Sequence, residues 1–290
     1  MHGFEDLRLH VNAGADYSTG KQTLWESPAI GIENVYYGRY GFEKIDKYNL
    51  SLNAYAQYFK DFNENHHFDI MGGYEWQHFH RQGKSDYYGL YPETTTKTDD
   101  AGNSLAGTRY NGSGSNWKTE HYIVSFFGRA NYTLLNRYLF TATVRYDGSS
   151  RFKDHWALFP SFAFGWRIKD ESFLKDVDFL SELKLRLGYG QTGQQEGIGD
   201  YNYFASYNTN VTSDSYYPIL GNGILYRPNA YNADLSWETT TTYNAGIDFG
   251  ILKGKLSGSI DYYYRKTTDL INTVYVSAGS NFRNQVTSNI

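Results

Sequence analysis

The chain has 290 residues, 27 basic against 31 acidic for a net charge of −4, no cysteine, and 18% aromatic residues, with 29 tyrosines and 5 prolines. The absence of cysteine excludes disulfides and thiolate metal centres, and the balanced charge without a basic cluster argues against a nucleic-acid partner. No window approaches the roughly 18 apolar residues of a membrane helix, so any membrane crossing must be made by strands, whose two faces average out in a hydropathy scan.

Alternation with period two predicts nine strands. The first runs from Leu7 to Tyr17, with Leu7, Leu9, Val11, Ala13 and Ala15 opposite Arg8, His10, Asn12, Gly14 and Asp16. The second lies near 47–60 (Leu50, Leu52, Ala54, Ala56, Tyr58) and the third near 66–82 (Phe68, Ile70, Gly72, Tyr74, Trp76). The fourth, near 119–134, sets Tyr122, Val124, Phe126 and Tyr132 against Ser125, Arg129, Asn131 and Thr133. The fifth, near 137–147, sets Tyr138, Phe140, Ala142, Val144 and Tyr146 against Thr141, Thr143, Arg145 and Asp147.

The sixth (155–168) carries Leu158, Phe162, Phe164 and Trp166, and the seventh (182–192) carries Leu183, Leu185, Leu187 and Tyr189 against Lys184 and Arg186. The eighth is a long two-faced run from Leu235 to Ile251, in which Leu235, Trp237, Tyr243, Ile247 and Phe249 alternate with Ser236, Glu238, Asn244 and Asp248. The ninth, 255–266, sets Leu256, Ile260, Tyr262 and Tyr264 against Ser257, Asp261 and Arg265.

Connections alternate in length. Those at 61–65, 135–136 and 252–254 are short; those at 18–46, 83–118 and 193–234 are long and rich in Gly, Asn, Ser, Thr and Tyr. Short turns on one rim and long loops on the other are the pattern of an outer-membrane barrel. The expected fold is therefore all-β, an antiparallel up-and-down transmembrane sheet with the apolar set, including Trp237, toward lipid. A soluble β-sandwich carbohydrate-binding module and a passive outer-membrane porin are the alternatives.

Candidate chemistry is sparse. His78 and His80 share a strand face and could chelate, but no carboxylate stands at ligand spacing in sequence, so no metal is expected. The segment 99–103 only faintly resembles a calcium loop, the 188–193 glycines lack the Lys-Ser/Thr pair of a phosphate cradle, and Ser149 and Ser150 lack a nucleophile elbow. Neither catalysis nor a cofactor is expected. Loop aromatics and amides, Trp117, Tyr207, Tyr216, Tyr217, Tyr226, Asn229 and Tyr231, could stack on sugar faces and hydrogen-bond hydroxyls. Arg129, Arg145, Lys184, Arg186 and Asp248 are expected on the lumen face, paired across strands.

Five strings carry a resemblance: YLFTATVRYDGSSRF at 138–152, WALFPSFAFGWRI at 156–168, LKLRLGYGQTG at 183–193, RPNAYNADLSWE at 227–238 and GSIDYYYRKTTDLI at 258–271. They resemble the C-terminal part of the barrel of SusC/RagA-type TonB-dependent outer-membrane transporters, strongly over 119–290 and more weakly before. The resemblance implies a wall segment, residues 1–290, of a barrel of about 22 strands closed round a plug; nine strands alone would form an open sheet with two unpaired edges. Plug, TonB box and signal peptide are not recognised in the chain, which therefore reads as a fragment. It further implies a Gram-negative, Bacteroidetes-like outer membrane, uptake of glycans or peptides energised by the TonB complex, and a SusD-like surface lipoprotein as partner.

Overall fold

The computed structural model describes residues 6–26, 39–91, 96–210, 225–277 and 285–290. Nine strands form one antiparallel sheet: β1 (Leu7–Glu26), β2 (Arg39–Asn63), β3 (His66–Leu90), β4 (Arg109–Leu134), β5 (Tyr138–Ser149), β6 (Trp156–Arg167), β7 (Leu180–Gln194), β10 (Glu238–Ile251) and β11 (Leu256–Thr268). Two hairpins lie outside it, β8 (Tyr207–Asn210) with β9 (Leu225–Pro228) and β12 (Ile271–Tyr275) with β13 (Gln285–Asn289). Alternation alone did not reveal these hairpins, because each strand is only four or five residues long.

The nine expected strands all form, but β1 to β4 are much longer than expected, at 20, 25, 25 and 26 residues against 12 in β5 and β6. The ranges 18–46 and 83–118, expected as loops, therefore contribute much strand. Cross-strand polar contacts hold these extensions: the Thr19 hydroxyl donates to Asp46 (2.7 Å), Ser85 pairs with Ser115 (3.1 Å) and Arg109 grips both oxygens of Asp86 (2.9 and 2.8 Å). A strand polar on both faces still satisfies its backbone, yet it carries no alternation to read.

The chain divides into two compact units. The first comprises residues 1–12, 52–76 and 122–290, the second 13–51 and 77–121. In the first unit the register is regular apart from a shift at Gly250/Ile251 in the β7–β10 ladder. β4 pairs β5 from Ile123↔Ser149 to Leu134↔Tyr138, β5 pairs β6 through Val144↔Pro160, and β7 pairs β10 through Tyr243↔Tyr189. The short links are tight. Leu135 and Asn136 take φ of 54° and 55°, with the Arg137 amide donating to Leu134 O (3.0 Å); Leu252 and Lys253 repeat this at 54° and 58°. Two successive positive φ values make a turn whose twist matches the flanking strands.

One face of this unit is a continuous aromatic and aliphatic surface. Tyr132, Phe140 and Phe164 form one ladder, Phe126, Trp156 and Tyr146 a second, and Phe162, Tyr189, Tyr243 and Tyr264 a third, with neighbouring ring centroids 4.8–6.4 Å apart. This surface lies open: Phe162 is 56% and Ile260 69% exposed. A soluble sandwich would cover such a face with a second sheet, and among the described residues no second sheet packs on it. An apolar face of this extent needs lipid or a partner.

Among the described residues the buried apolar side chains are Phe159 of β6 and three residues of the links at the opposite rim from the tight turns. Phe152, Ile198 and Leu235 form a small core, against which Trp237 and Ile271 pack. Here the expectation for Trp237 is corrected. β10 begins at Glu238, so residue 237 belongs to a loop where period two no longer governs direction. Its indole N–H donates to His155 O (3.2 Å) and its ring packs on Phe152 and Phe159, centroids 5.0 and 5.7 Å away, rather than facing lipid. Leu235, 1% exposed, is likewise a loop-core residue.

Candidate functional site

The face of the first unit opposite the ladders is polar, and its charges are organised by register. Arg186 on β7 sits opposite Gly246. Its guanidinium donates to both oxygens of Asp248 (2.9 and 2.8 Å) and to Asp261 on β11 (3.0 Å). On β5, Arg145 donates to Glu75 of β3 (2.7 Å), to Asp147 (2.7 and 3.0 Å) and to the hydroxyl of fully buried Ser125 (2.8 Å). Nearer the tight turns Asp69 accepts from Gln57 (2.8 Å) and Asn131 (3.0 Å), whose own oxygen accepts from Thr141 (2.8 Å). Such bridges join β2, β3, β4 and β5 across their ladders and hold the side chains in one plane of acceptors and donors.

The sequence predicts cross-strand pairing for Arg129, Arg145, Lys184, Arg186 and Asp248. Arg145, Arg186 and Asp248 are paired. Among the described residues Arg129 and Lys184 make no ion pair: register sets Thr143 opposite Arg129, and Asp248, opposite Lys184, is held by Arg186.

At the rim bearing the long links, the DGSS stretch at 147–150 builds structure rather than a nucleophile. The Ser150 hydroxyl accepts from the Tyr122 amide (3.0 Å), Ser149 donates to Gln195, and Arg151 pairs with Asp200 (2.8 Å). Asn289 reaches back to the Ser236 backbone in both directions (2.9 and 3.0 Å), and the Asn202 amide donates to Thr287 (3.2 Å). Distant links thus form one packed platform in this unit.

On that platform the structure gathers some of the expected binding residues. Tyr207 and Tyr226 lie on the β8–β9 hairpin, where Tyr226 stands opposite Thr209 and Tyr207 opposite Pro228. Asn229 follows the hairpin and donates to the Ser206 hydroxyl (3.1 Å), while Tyr231 is half exposed. Tyr216 and Tyr217 lie outside the described residues. Trp117 belongs to the second unit and is corrected from loop to strand. It sits within β4, its ring over Gly83 and the Arg81 guanidinium 5.2 Å from its centroid.

Two clusters were missed from sequence. At the rim of the tight turns Glu171, only 8% exposed, accepts from the Tyr138 hydroxyl (2.6 Å), Trp166 Nε1 (2.9 Å) and Arg137 (2.9 Å). The Tyr138 hydroxyl above all, then Trp166 and Arg137, holds its carboxyl below the usual range. In the second unit Glu120 of β4 faces His78 and His80 of β3, which corrects the reading that no carboxylate accompanies these histidines. The partner comes from across the ladder, where sequence spacing has no reach.

The TonB dependent receptor-like β-barrel family model matches residues 3–290. The chain is 48% identical over 298 residues to TonB-dependent receptor SusC of Bacteroides thetaiotaomicron, covering all of this chain and 28% of the relative. It is 31% identical to TonB-dependent receptor P39 of Formosa agariphila, covering 84% of this chain and 23% of the relative. The chain thus spans between a fifth and a third of the length of these relatives. Its fold is similar to the solved structure of the RagAB peptide transporter, with a TM-score of 0.81 at 24% identity over 99% of this chain and 31% of that one.

Proposed function

The chain belongs to the TonB-dependent receptor β-barrel family, whose SusC-like members lie in the outer membrane of Bacteroidetes, and from that premise we propose that it is a wall segment of an active importer. The reading rests above all on its 48% identity to a SusC receptor across the whole chain. The apolar ladders face lipid, and the polar face lines the lumen, where Arg129, Arg145, Lys184, Arg186 and Asp248 meet a plug and its cargo. Paired charges there give a rigid wall, since each guanidinium is held at two or more points. Arg129 and Lys184, outside those pairs, supply the charge available to a moving partner.

The cargo is a glycan or a peptide delivered through a SusD-like surface lipoprotein, with energy from the TonB complex. Tyr207, Tyr226, Asn229 and Tyr231 on the platform suit glycans, because flat rings stack on sugar faces and amides bond hydroxyls; Trp117, Tyr216 and Tyr217 are proposed to add to the same mouth. Uptake of labelled oligosaccharides and peptides by cells with and without the gene tests this. Loss of uptake of one class on deletion, and its collapse when the proton gradient is dissipated, is expected. Uptake that persists without the gradient contradicts active import and indicates a pore.

A further inference from the structure

We propose that His78, His80 and Glu120 form a binding site for a divalent ion of the zinc class on the second unit. His78 and His80 are two apart on β3 and therefore share a face, while Glu120 projects from the adjacent strand β4. His78 Nε2 lies 3.5 Å and His80 Nδ1 3.6 Å from the same Glu120 oxygen, and the three ligand atoms fall within 4.8 Å of one another. Those separations are long for N–H···O hydrogen bonds. They lie close to the edge of a tetrahedron built with zinc–nitrogen and zinc–oxygen bonds, about 3.3–3.5 Å.

Both imidazoles are held in place before any ion arrives. The Tyr48 ring stacks on His80 at 4.3 Å and 12° and meets His78 edge-on at 5.6 Å. The histidine side chains are 11% and 6% exposed while Glu120 is 34% exposed, so the site is walled on the imidazole side and open on the carboxylate side. His80 Nδ1 is buried with no hydrogen-bond partner among the described residues, an arrangement that costs free energy unless something takes the lone pair.

Imidazole and carboxylate ligands suit zinc, copper and nickel rather than calcium or magnesium. Three protein ligands leave a fourth position for water or an incoming donor. The Lys118 ammonium, 3.6 Å from the same Glu120 oxygen on a 58% exposed side chain, balances the carboxylate without the ion and can swing aside. The surroundings are wet and polar, since Lys44, Asp46, Gln82, Lys84 and Asn116 line an open depression of about 430 Å³ in the same unit. An ion here ties β3 to β4 by bonds independent of the backbone ladder.

The test is zinc titration of the protein extracted from outer membranes in detergent, against a chromogenic chelator, with Co²⁺ as a spectroscopic substitute. The wild type should hold one more zinc equivalent than His80→Gln, His78→Gln or Glu120→Gln, each weakening that site by at least about 100-fold. Co²⁺ should give the intense visible absorption of a tetrahedral centre in the wild type alone. His66→Gln/His67→Gln, away from these residues, should bind as the wild type does. Three variants guard against misfolding of one, checked by their mobility before and after heating. Equal zinc stoichiometry and affinity in the wild type and in every folded His78, His80 and Glu120 variant overturns the proposal.

Discussion

The guanidinium of Arg186 lies over Gly246, its direct partner across the β7–β10 ladder: a Cβ on Gly246 would come within 2.8 Å of Arg186 Nη2 and would also strike Asp261. A glycine at that position leaves the space in which one arginine reaches Asp248 and Asp261 together. The ion-pair cluster on the polar face therefore depends on a residue that carries no charge.

Gly246→Val is expected to displace Arg186 and loosen β7, β10 and β11, at a cost of about 1–3 kcal/mol for overpacking. Gly193→Val should cost more. Its Cβ would meet the ring of Phe159, which is 6% exposed and packed against Trp237, whereas a guanidinium can give way. Thermal unfolding in detergent, followed by heat-dependent gel mobility, ranks the two; equal midpoints contradict this ordering.

Arg145→Met removes the cation that Glu75 and Asp147 share. The Arg145 side chain is 38% exposed, so water screens part of the loss and about 1–2 kcal/mol is expected, between the exposed and buried limits for a broken pair. Adding Glu75→Gln and Asp147→Asn to the same variant should recover most of it. A triple variant no more stable than the single one rules out charge repulsion as the cause.

Glu171 gives stability with a defined pH dependence. Its carboxyl is held below its ordinary range by Tyr138, Trp166 and Arg137, so the folded state binds its proton less readily than the unfolded chain does. Its contribution is fully present above the unfolded glutamate pKa, about 4.3, and is lost as pH falls through the lower folded value. Glu171→Gln should therefore lie below the wild type in melting temperature at pH 7, with the gap narrowing toward pH 3. A gap constant with pH would mean that the carboxylate charge is irrelevant.

Much of the wall could be read from sequence because lipid on one face and polar contacts on the other force period two. In β5, Phe140, Val144 and Tyr146 against Thr141, Arg145 and Asp147 is the arrangement the structure contains. The upper reaches of β1 to β4 could not be read this way, since Ser85, Asp86, Arg109 and Ser115 bond across strands that carry polar residues on both faces. Trp237 falls on the lipid face only if parity is carried back beyond Glu238, the first residue of β10. The His78, His80 and Glu120 cluster, and Glu171 with its three donors, depend on register and loop closure, which join residues far apart in sequence.

The polarity of the two faces can be challenged with neighbouring residues. Val144→Arg places a charge on the 45% exposed apolar surface and should cost about 2–4 kcal/mol if it lies near the bilayer midplane. Thr143→Glu, one residue earlier, enters the polar face opposite Arg129, a charge it can pair with, and should leave the yield of folded protein in the outer membrane nearly unchanged. Equal yields of the two variants contradict the assignment of faces.

The most direct test of the lipid-facing wall is a spin-label scan along Tyr138 to Ser149 in the protein reconstituted into bilayers, reading accessibility to oxygen and to a water-soluble nickel chelate. Oxygen maxima are expected at Phe140, Ala142, Val144 and Tyr146, with minima at Thr141, Thr143 and Arg145. A profile without period two, or with the maxima on the odd-numbered residues, would contradict a lipid-facing wall.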